Sequence, residues 1–314
     1  MSVLTAPAPP QHRGGPLDVV RRRPLLSFFL LANLASWIAW LPYILSEHGL
    51  GVWAFSFPGG SGGGQQLGML PGAYLGPIGA ALVVTAIADG RPGLRAWARR
   101  LWSWRVSWRW YVGILLGVPA AMVVSGLVFS GGEVRFPGLL VLANLVPLLL
   151  IQMITTGLAE EPGWRDFALP RMQRLFGAPR AAVVIGLLWG VWHLPLFLTE
   201  WGDFPDAPWY RLVEFVLFCI TFNVVMTWVF NRTGQSLPMA MLLHVSVNTF
   251  ASGAWSQTFP TMDTNAFQHA LLVGATIAAV VTLVGTRGRL GYEPEVADAL
   301  DLRVAGQPKA ARLS

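Results

Sequence analysis

Eight stretches of this chain are almost wholly apolar and are separated by shorter polar segments. Each has about 20 residues, the length of a helix that crosses a hydrocarbon layer of roughly 30 Å. The pattern therefore predicts eight membrane-spanning helices, at 25–45, 69–88, 110–130, 138–159, 181–199, 212–230, 237–254 and 267–286. The seventh stretch is shorter and carries His244 and Asn248, so hydropathy alone ranks it low.

The composition supports a membrane protein. Hydrophobic residues make up 54% of the 314 residues and charged residues only 12%, whereas a soluble domain carries roughly 25% charged residues. So few charges could not cover the surface of a soluble fold, and the single cysteine, Cys219, excludes a disulfide scaffold. The expected fold class is an all-α polytopic membrane protein, with about eight transmembrane helices enclosing an intramembrane site.

The positions of the basic residues predict the orientation of the chain. With the N-terminus in the cytoplasm, 20 of the 22 Lys and Arg residues fall on the cytoplasmic side, and Arg135 and Arg211 fall on the other. This asymmetry follows the positive-inside rule. It predicts a multi-pass protein of the cell (inner or plasma) membrane with both termini cytoplasmic. Because the basic residues lie in several separate loops, the net charge of +6 indicates contact with the lipid bilayer and no nucleic-acid partner.

Four segments outside the spans have their own patterns. Residues 1–24 are expected to form a disordered cytoplasmic tail, and residues 287–314 a second cytoplasmic tail. The glycine-rich residues 58–68 predict a flexible loop on the outside. Residues 93–110 interleave arginine with tryptophan, which is typical of an interfacial helix in the headgroup layer.

Ionisable groups within membrane spans are costly, so each one is a candidate functional residue. Glu160 and Glu161 end the fourth span, and Arg165 follows Glu161 by four residues, on the same helical face. Two adjacent carboxylates in a low dielectric cannot both ionise cheaply. Pairing of Glu161 with Arg165 would leave Glu160 free to act as a base. A helix end capped by a surface ion pair is an equally good interpretation of these residues alone.

Two histidines within the predicted spans are the other candidate functional residues. His193 lies in the fifth span, and His244 shares a helical face with Asn248 in the seventh. At a rise of about 1.5 Å per residue, both histidines lie roughly 18–20 Å from the cytoplasmic ends of their spans. Each alone is equally compatible with an interhelical hydrogen bond. Glu160 would lie about 33 Å along its own helix, so that helix must tilt or kink to meet them, and Pro147 is a candidate for the kink.

These three groups resemble the motifs of one known family, the CPBP intramembrane endopeptidases related to the CAAX prenyl protease Rce1. The family motifs are EExxxR, aromatic-xxxH and HxxxN. Here they read EEPGWR at 160–165, WGVWH at 189–193 and HVSVN at 244–248. The similarity is to the bacterial branch and covers roughly residues 70–255, as a protease core within the predicted transmembrane domain at 25–286. Asp166 departs from the glycine usual in that branch and could compete for Arg165.

The resemblance implies hydrolysis of peptide bonds in a membrane-anchored peptide or protein substrate, in a site that opens toward the cytoplasm. Glu160 would activate a water for attack on the scissile carbonyl, and His193 would share that water and deliver a proton to the leaving amine. His244 and Asn248 would stabilise the oxyanion. Glu161 and Arg165 would support them.

The need for a metal stays open at this point. The chain has no HExxH motif, but two histidines and a glutamate could form a catalytic zinc site with water in the fourth position. The ligands would come from Glu160, Glu161, His193 and His244, with one glutamate left as the base. A glutamate-activated water without a cofactor is favoured, since asparagine is a poor zinc ligand, and zinc is the alternative.

Three functions of other classes also stay open. A non-catalytic membrane scaffold or immunity protein of the same fold would not need Glu160. A b-type haem protein would use His193 and His244 as axial ligands but would leave Glu160 unexplained. A transporter could relay protons through the same acids, although the chain lacks the paired broken-helix pattern.

Overall fold

The computed structural model describes residues 15–295, and its regular elements within this range are helices, without a strand. The first part of the chain forms a helical hairpin, in which the second arm is a continuous helix with one π-helical turn packed back against α2. Its elements are α1 (Pro16–Arg22), α2 (Pro24–Leu45), α3 (Gly60–Ala73), the π-helical turn Tyr74–Ile78, α4 (Gly79–Ala88) and α5 (Gly90–Leu101).

The middle part consists of α6 and a long helix with two π-helical turns. The elements are α6 (Trp108–Phe129), α7 (Leu139–Gln152), the π-helical turn Met153–Gly157, α8 (Leu158–Glu161), the π-helical turn Pro162–Ala168 and α9 (Leu169–Phe176). The last part adds α10 (Ala178–Trp192), two short 3₁₀ helices (Leu194–Leu198 and Glu200–Gly202), α11 (Trp209–Arg232), α12 (Leu237–Gly253), α13 (Trp255–Thr258) and α14 (Thr264–Gly285).

Seven helices in the described part of the chain are long and apolar enough to cross a membrane. They correspond to seven of the eight predicted spans, so the predicted all-α polytopic fold is confirmed. Their hydrogen bonds satisfy the backbone polar groups within each helix, as a hydrocarbon layer requires. The remaining predicted span, 237–254, forms α12, which has 17 residues.

Helix α12 is enclosed by protein. It packs against α6, α7 and α11, and its side chains are buried along nearly the whole helix. Because neighbouring helices rather than lipid surround it, α12 can carry polar residues such as His244 and Ser246 at a buried depth. This explains why a buried span can have a hydropathy that ranks low among the predicted spans.

A close contact between α10 and α11 fixes the position of the second motif. A Cβ atom at Gly186 would lie 2.6 Å from the Cα of Ile220, and one at Gly190 would lie 3.1 Å from the Cα of Val216. Small residues spaced by four let two helix backbones approach this closely. The contact therefore sets the height and rotation of the α10 end that carries Trp189 and His193.

The predicted loop at 58–68 is wrong, since most of this stretch belongs to α3. Two of its glycines lie directly against side chains of the preceding segment, and a Cβ at Gly64 would meet the ring of His48 at 2.5 Å. Close packing against Tyr43 and Trp40 continues at Gly68 and Gly72. Tertiary contact thus overrides the weak helix propensity of glycine.

The predicted tails are only partly described by the structure. Within 1–24, α1 is a helix, with Asp18 in its first turn and Arg21 and Arg22 in its last turn, as the helix dipole favours. Within 287–314, Leu290 is buried against α10 and α11 residues. The helix α1 departs from the disorder expected of 1–24, and the cytoplasmic position of both tails stays a prediction. Residues 1–14 and 296–314 lie outside the described residues.

Candidate active site

Glu160 lies on the short helix α8, between two π-helical turns. Such widened turns recur at functional sites, because they rotate the residues that follow them relative to a regular helix. The departures from α-helical geometry lie here, whereas Pro147 is inside the regular helix α7. The Glu160 residue is 6% exposed. The indole Nε1 of Trp189 donates a hydrogen bond to its Oε2 at 2.7 Å.

Glu161 and Arg165 form a fully buried ion pair, as their spacing predicted. The Nε of Arg165 lies 3.1 Å from Oε2 of Glu161, and the guanidinium also lies 5.1 Å from the ring centroid of Trp189. Asp166 does not compete for Arg165, because its carboxylate pairs with Arg100 of α5. The residue that departs from the family pattern therefore binds the arginine- and tryptophan-rich interfacial helix.

The two histidines are each held through Nδ1. The Nδ1 of His244 donates to Oε1 of Glu161 at 2.8 Å, and the amide Nδ2 of Asn248 lies 3.5 Å from the Nε2 of His244. The Nδ1 of His193 donates to the backbone carbonyl of Trp189 at 2.8 Å. Because a carbonyl only accepts, this bond fixes the proton on Nδ1 and leaves Nε2 of a neutral His193 as an acceptor.

Trp189 connects the three motifs. Its ring centroid lies 5.6 Å from that of His193 and 5.1 Å from that of His244, and its indole nitrogen binds Glu160. The sequence marked Trp189 only as the aromatic residue of the second motif. Its role as a donor was missed, although tryptophan differs from phenylalanine at this position in having an N–H group.

The predicted catalytic residues meet at one cavity of about 250 Å³. Glu160, His193, His244 and Asn248 all line it. Glu161 and Arg165 are not exposed and lie behind the wall, in contact with the lining residues. The cavity wall also includes polar residues that the sequence did not identify, namely Gln65, Gln66, Gln152, Thr155 and Thr156.

The cavity extends away from the arginine-rich ends of the helices. Along α12 its lining runs from His244 through Asn248 to Ser252, away from the Arg232 end of the preceding connection. If the arginine-rich ends are cytoplasmic, as the charge distribution predicts, the cavity does not open to the cytoplasm. The orientation of the chain and the face at which the site opens both stay predictions.

Zinc, the alternative to a glutamate-activated water without a cofactor, stays a prediction. Within residues 15–295, no three His, Cys, Asp or Glu side chains come together in a metal-binding group. The Oε1 of Glu161 accepts from His244, and its Oε2 faces Arg165. The Oε2 of Glu160 accepts a hydrogen bond from the indole N–H of Trp189.

The other histidines lie away from this cavity. From the sequence, His12, His48 and His269 fall in tails or outside segments and are expected to tolerate substitution. His48 is instead buried and bonded to Glu200 through Nδ1 at 3.0 Å. This hydrogen bond raises the pKa of His48 above its ordinary value. His269 is partly exposed, 3.3 Å from Glu214, and His12 lies outside the described residues.

Comparison with known proteins gives the same assignment as the motifs. Residues 142–250 match the family described as type II CAAX prenyl endopeptidase Rce1-like. The chain is also similar to CAAX prenyl protease 2 of Methanococcus maripaludis, with 28% identity over 141 residues. That region is 44% of this chain, and the chain spans about half (49%) of the length of this relative. The matched region contains all three motifs, and over this region the chain is similar to the Rce1-like family.

Proposed function

We propose that this protein is an intramembrane endopeptidase that hydrolyses peptide bonds of membrane-associated substrates. The observation that carries the proposal is the position of Glu160. One of its oxygens is held by Trp189, and the residue faces a cavity that His193, His244 and Asn248 also line. A scaffold or a haem protein would not need this arrangement of a carboxylate against two imidazoles and an amide.

The first chemical step is the activation of water. Glu160 accepts a proton from a water in the cavity, and the water oxygen forms a bond to the scissile carbonyl carbon. The hydrogen bond from Trp189 fixes Oε2, so that Oε1 is the oxygen left for the water. His193 accepts a second hydrogen bond from the same water through Nε2, because its Nδ1 is bound to the Trp189 carbonyl.

The second step is the collapse of the tetrahedral intermediate. Asn248 donates through its amide to the oxyanion. His244 donates through Nε2 when both of its nitrogens carry protons, since Glu161 holds its Nδ1 proton. The proton taken from water moves to the leaving nitrogen by way of His193. The C–N bond then breaks to give a carboxylic acid and an amine.

Trp189→Phe is expected to lower kcat with little change in KM. The substitution keeps an aromatic ring beside both histidines but removes the N–H group that orients Glu160. A hydrogen bond to a charged group contributes about 1.5–3 kcal/mol, which corresponds to roughly a ten- to hundredfold loss. Steady-state cleavage of a peptide substrate checks this. Trp37→Phe is the matched control, because the Trp37 indole donates to a backbone carbonyl, that of Trp192, and Trp37 itself does not line the cavity. An equal loss in both variants would contradict the specific role of Trp189.

The proposed function is tested by measuring zinc content and peptide cleavage in the same detergent-purified samples. The wild-type protein is compared with His193→Ala/His244→Ala. We expect chelator-resistant cleavage by the wild type without stoichiometric zinc, and almost none by the double variant. Loss of one oxyanion donor alone typically costs about 10²–10³ in rate.

Two results would contradict this expectation. Near-stoichiometric zinc that disappears with the histidines, together with chelator-sensitive cleavage, would replace the glutamate–water mechanism with a metalloprotease. Absence of cleavage from a broad set of membrane-anchored peptides would favour the non-catalytic scaffold.

A further inference from the structure

The two ends of the helical bundle differ in charge and in access to the cavity. One end, here called the arginine-rich end, is formed by the N-terminal end of α2, by α5, by α9 and by the start of α12. The opposite end is formed by the connections 46–59, 130–138, 199–208 and 254–263. These connections carry one arginine, Arg135, no lysine, and one histidine, His48.

The catalytic cluster is closed toward the arginine-rich end. Below it lie Glu161, Arg165 and Asp166, which are all fully buried. Helix α5 covers this side, since Arg100 pairs with Asp166 and the Trp97 indole donates to the Pro162 carbonyl at 3.4 Å. The polar groups on this side are therefore packed against one another. They do not form a passage from the arginine-rich end to the cavity.

Exposure increases in the other direction. Glu160 and His244 are 6% and 4% exposed, whereas Gln66 of α3 and Ser252 of α12, which line the same cavity, are exposed. Ser252 lies one residue before the last residue of α12 and eight residues after His244. The cavity thus reaches the surface at the end of the bundle opposite the arginine-rich end.

We infer that substrates reach Glu160 from the end opposite the arginine-rich end, which the positive-inside rule places on the non-cytoplasmic side of the membrane. This inference rests on the proposed function. It defines the substrate class as peptides that are anchored in the membrane and present their scissile bond on the non-cytoplasmic face. The resemblance to the family implied access from the opposite face.

Single-cysteine labelling tests this inference, because Cys219 is the only cysteine and is buried. In a Cys219→Ala background, Ser252→Cys places a reporter at the cavity mouth. Ser107→Cys places a matched reporter at the exposed start of α6, within the arginine-rich segment. A membrane-impermeant maleimide is applied to intact cells and to permeabilised cells, and peptide cleavage is then measured on the purified, labelled proteins.

We expect Ser252→Cys to be labelled in intact cells and Ser107→Cys only after permeabilisation. We also expect loss of cleavage when the bulky adduct occupies the mouth, and unchanged cleavage when it is at position 107. Gln66→Cys repeats the mouth measurement if Ser252→Cys does not fold.

Labelling with the reverse pattern would overturn the inference, and so would protection of both mouth reporters in intact cells. Full cleavage by mouth-labelled protein would show that substrates use another route. If the unlabelled protein cleaves no peptide, the proposed function fails. The labelling pattern would still report which face the cavity reaches, so the two failures are distinguishable.

Discussion

Glu160→Gln is expected to abolish peptide cleavage and to leave the amount of folded protein unchanged. Glutamine has nearly the same shape, and its carbonyl oxygen can still accept the Trp189 hydrogen bond that holds this side chain. It cannot accept a proton from water. Because general-base catalysis contributes about 10²–10⁴ in rate, and this base also generates the nucleophile, the loss should reach the assay background.

The measurement is initial-rate cleavage per amount of monodisperse protein after gel filtration. Glu133→Gln is the matched control, since Glu133 lies exposed in the 130–138 connection and the substitution removes the same charge. Cleavage retained by Glu160→Gln would remove Glu160 from the base role. Loss of folded protein would show that the carboxylate acts in structure as well.

Arg165→Ala is expected to destabilise the protein more than any other substitution near the cavity. Arg165 and Glu161 are both fully buried, and removing the arginine leaves the Glu161 carboxylate without its cation in a low dielectric. Breaking a buried pair in this way costs about 3–5 kcal/mol. The expected result is a strongly reduced folded yield, with the protein that does fold losing less in turnover than in stability.

Thermal unfolding in detergent and the yield of monodisperse protein measure this effect. Arg180→Ala, at an exposed position, serves as the control. The double variant Glu161→Gln/Arg165→Met removes both charges and should recover much of the yield, since the penalty comes from the unpaired charge. It should not recover cleavage, because His244 loses its carboxylate partner. Normal yield but slow turnover of Arg165→Ala would place Arg165 in the chemistry.

Local spacing made much of this site predictable. Glu161 and Arg165 are four residues apart in the chain, and so are His244 and Asn248. Residues with this spacing lie on the same face of a helix, so both contacts could be derived from the sequence. The spans could be predicted because a helix that crosses the hydrocarbon layer must have a similar length and an apolar composition in most cases.

The remaining features depend on contacts between distant segments. The hydrogen bond from Trp189 to Glu160 joins two helices, and Glu160 lies between two π-helical turns that no residue pattern marked. The pairing of Asp166 with Arg100 joins elements 66 residues apart. In α3, Gly68 and Gly72 pack against Tyr43 and Trp40, which lie more than 20 residues earlier in the chain. Periodicity within one segment carries no information about such partners.

The enclosure of α12 by other helices has a consequence for biogenesis. A segment with His244, Ser246, Asn248 and Thr249 partitions poorly from the translocon into lipid by itself, because polar groups are costly at this depth. Its partners α6, α7 and α11 precede it in the chain and are already synthesised when α12 emerges. Insertion of α12 is therefore expected to be coupled to its association with these helices, so that the catalytic cluster assembles as α12 enters the membrane.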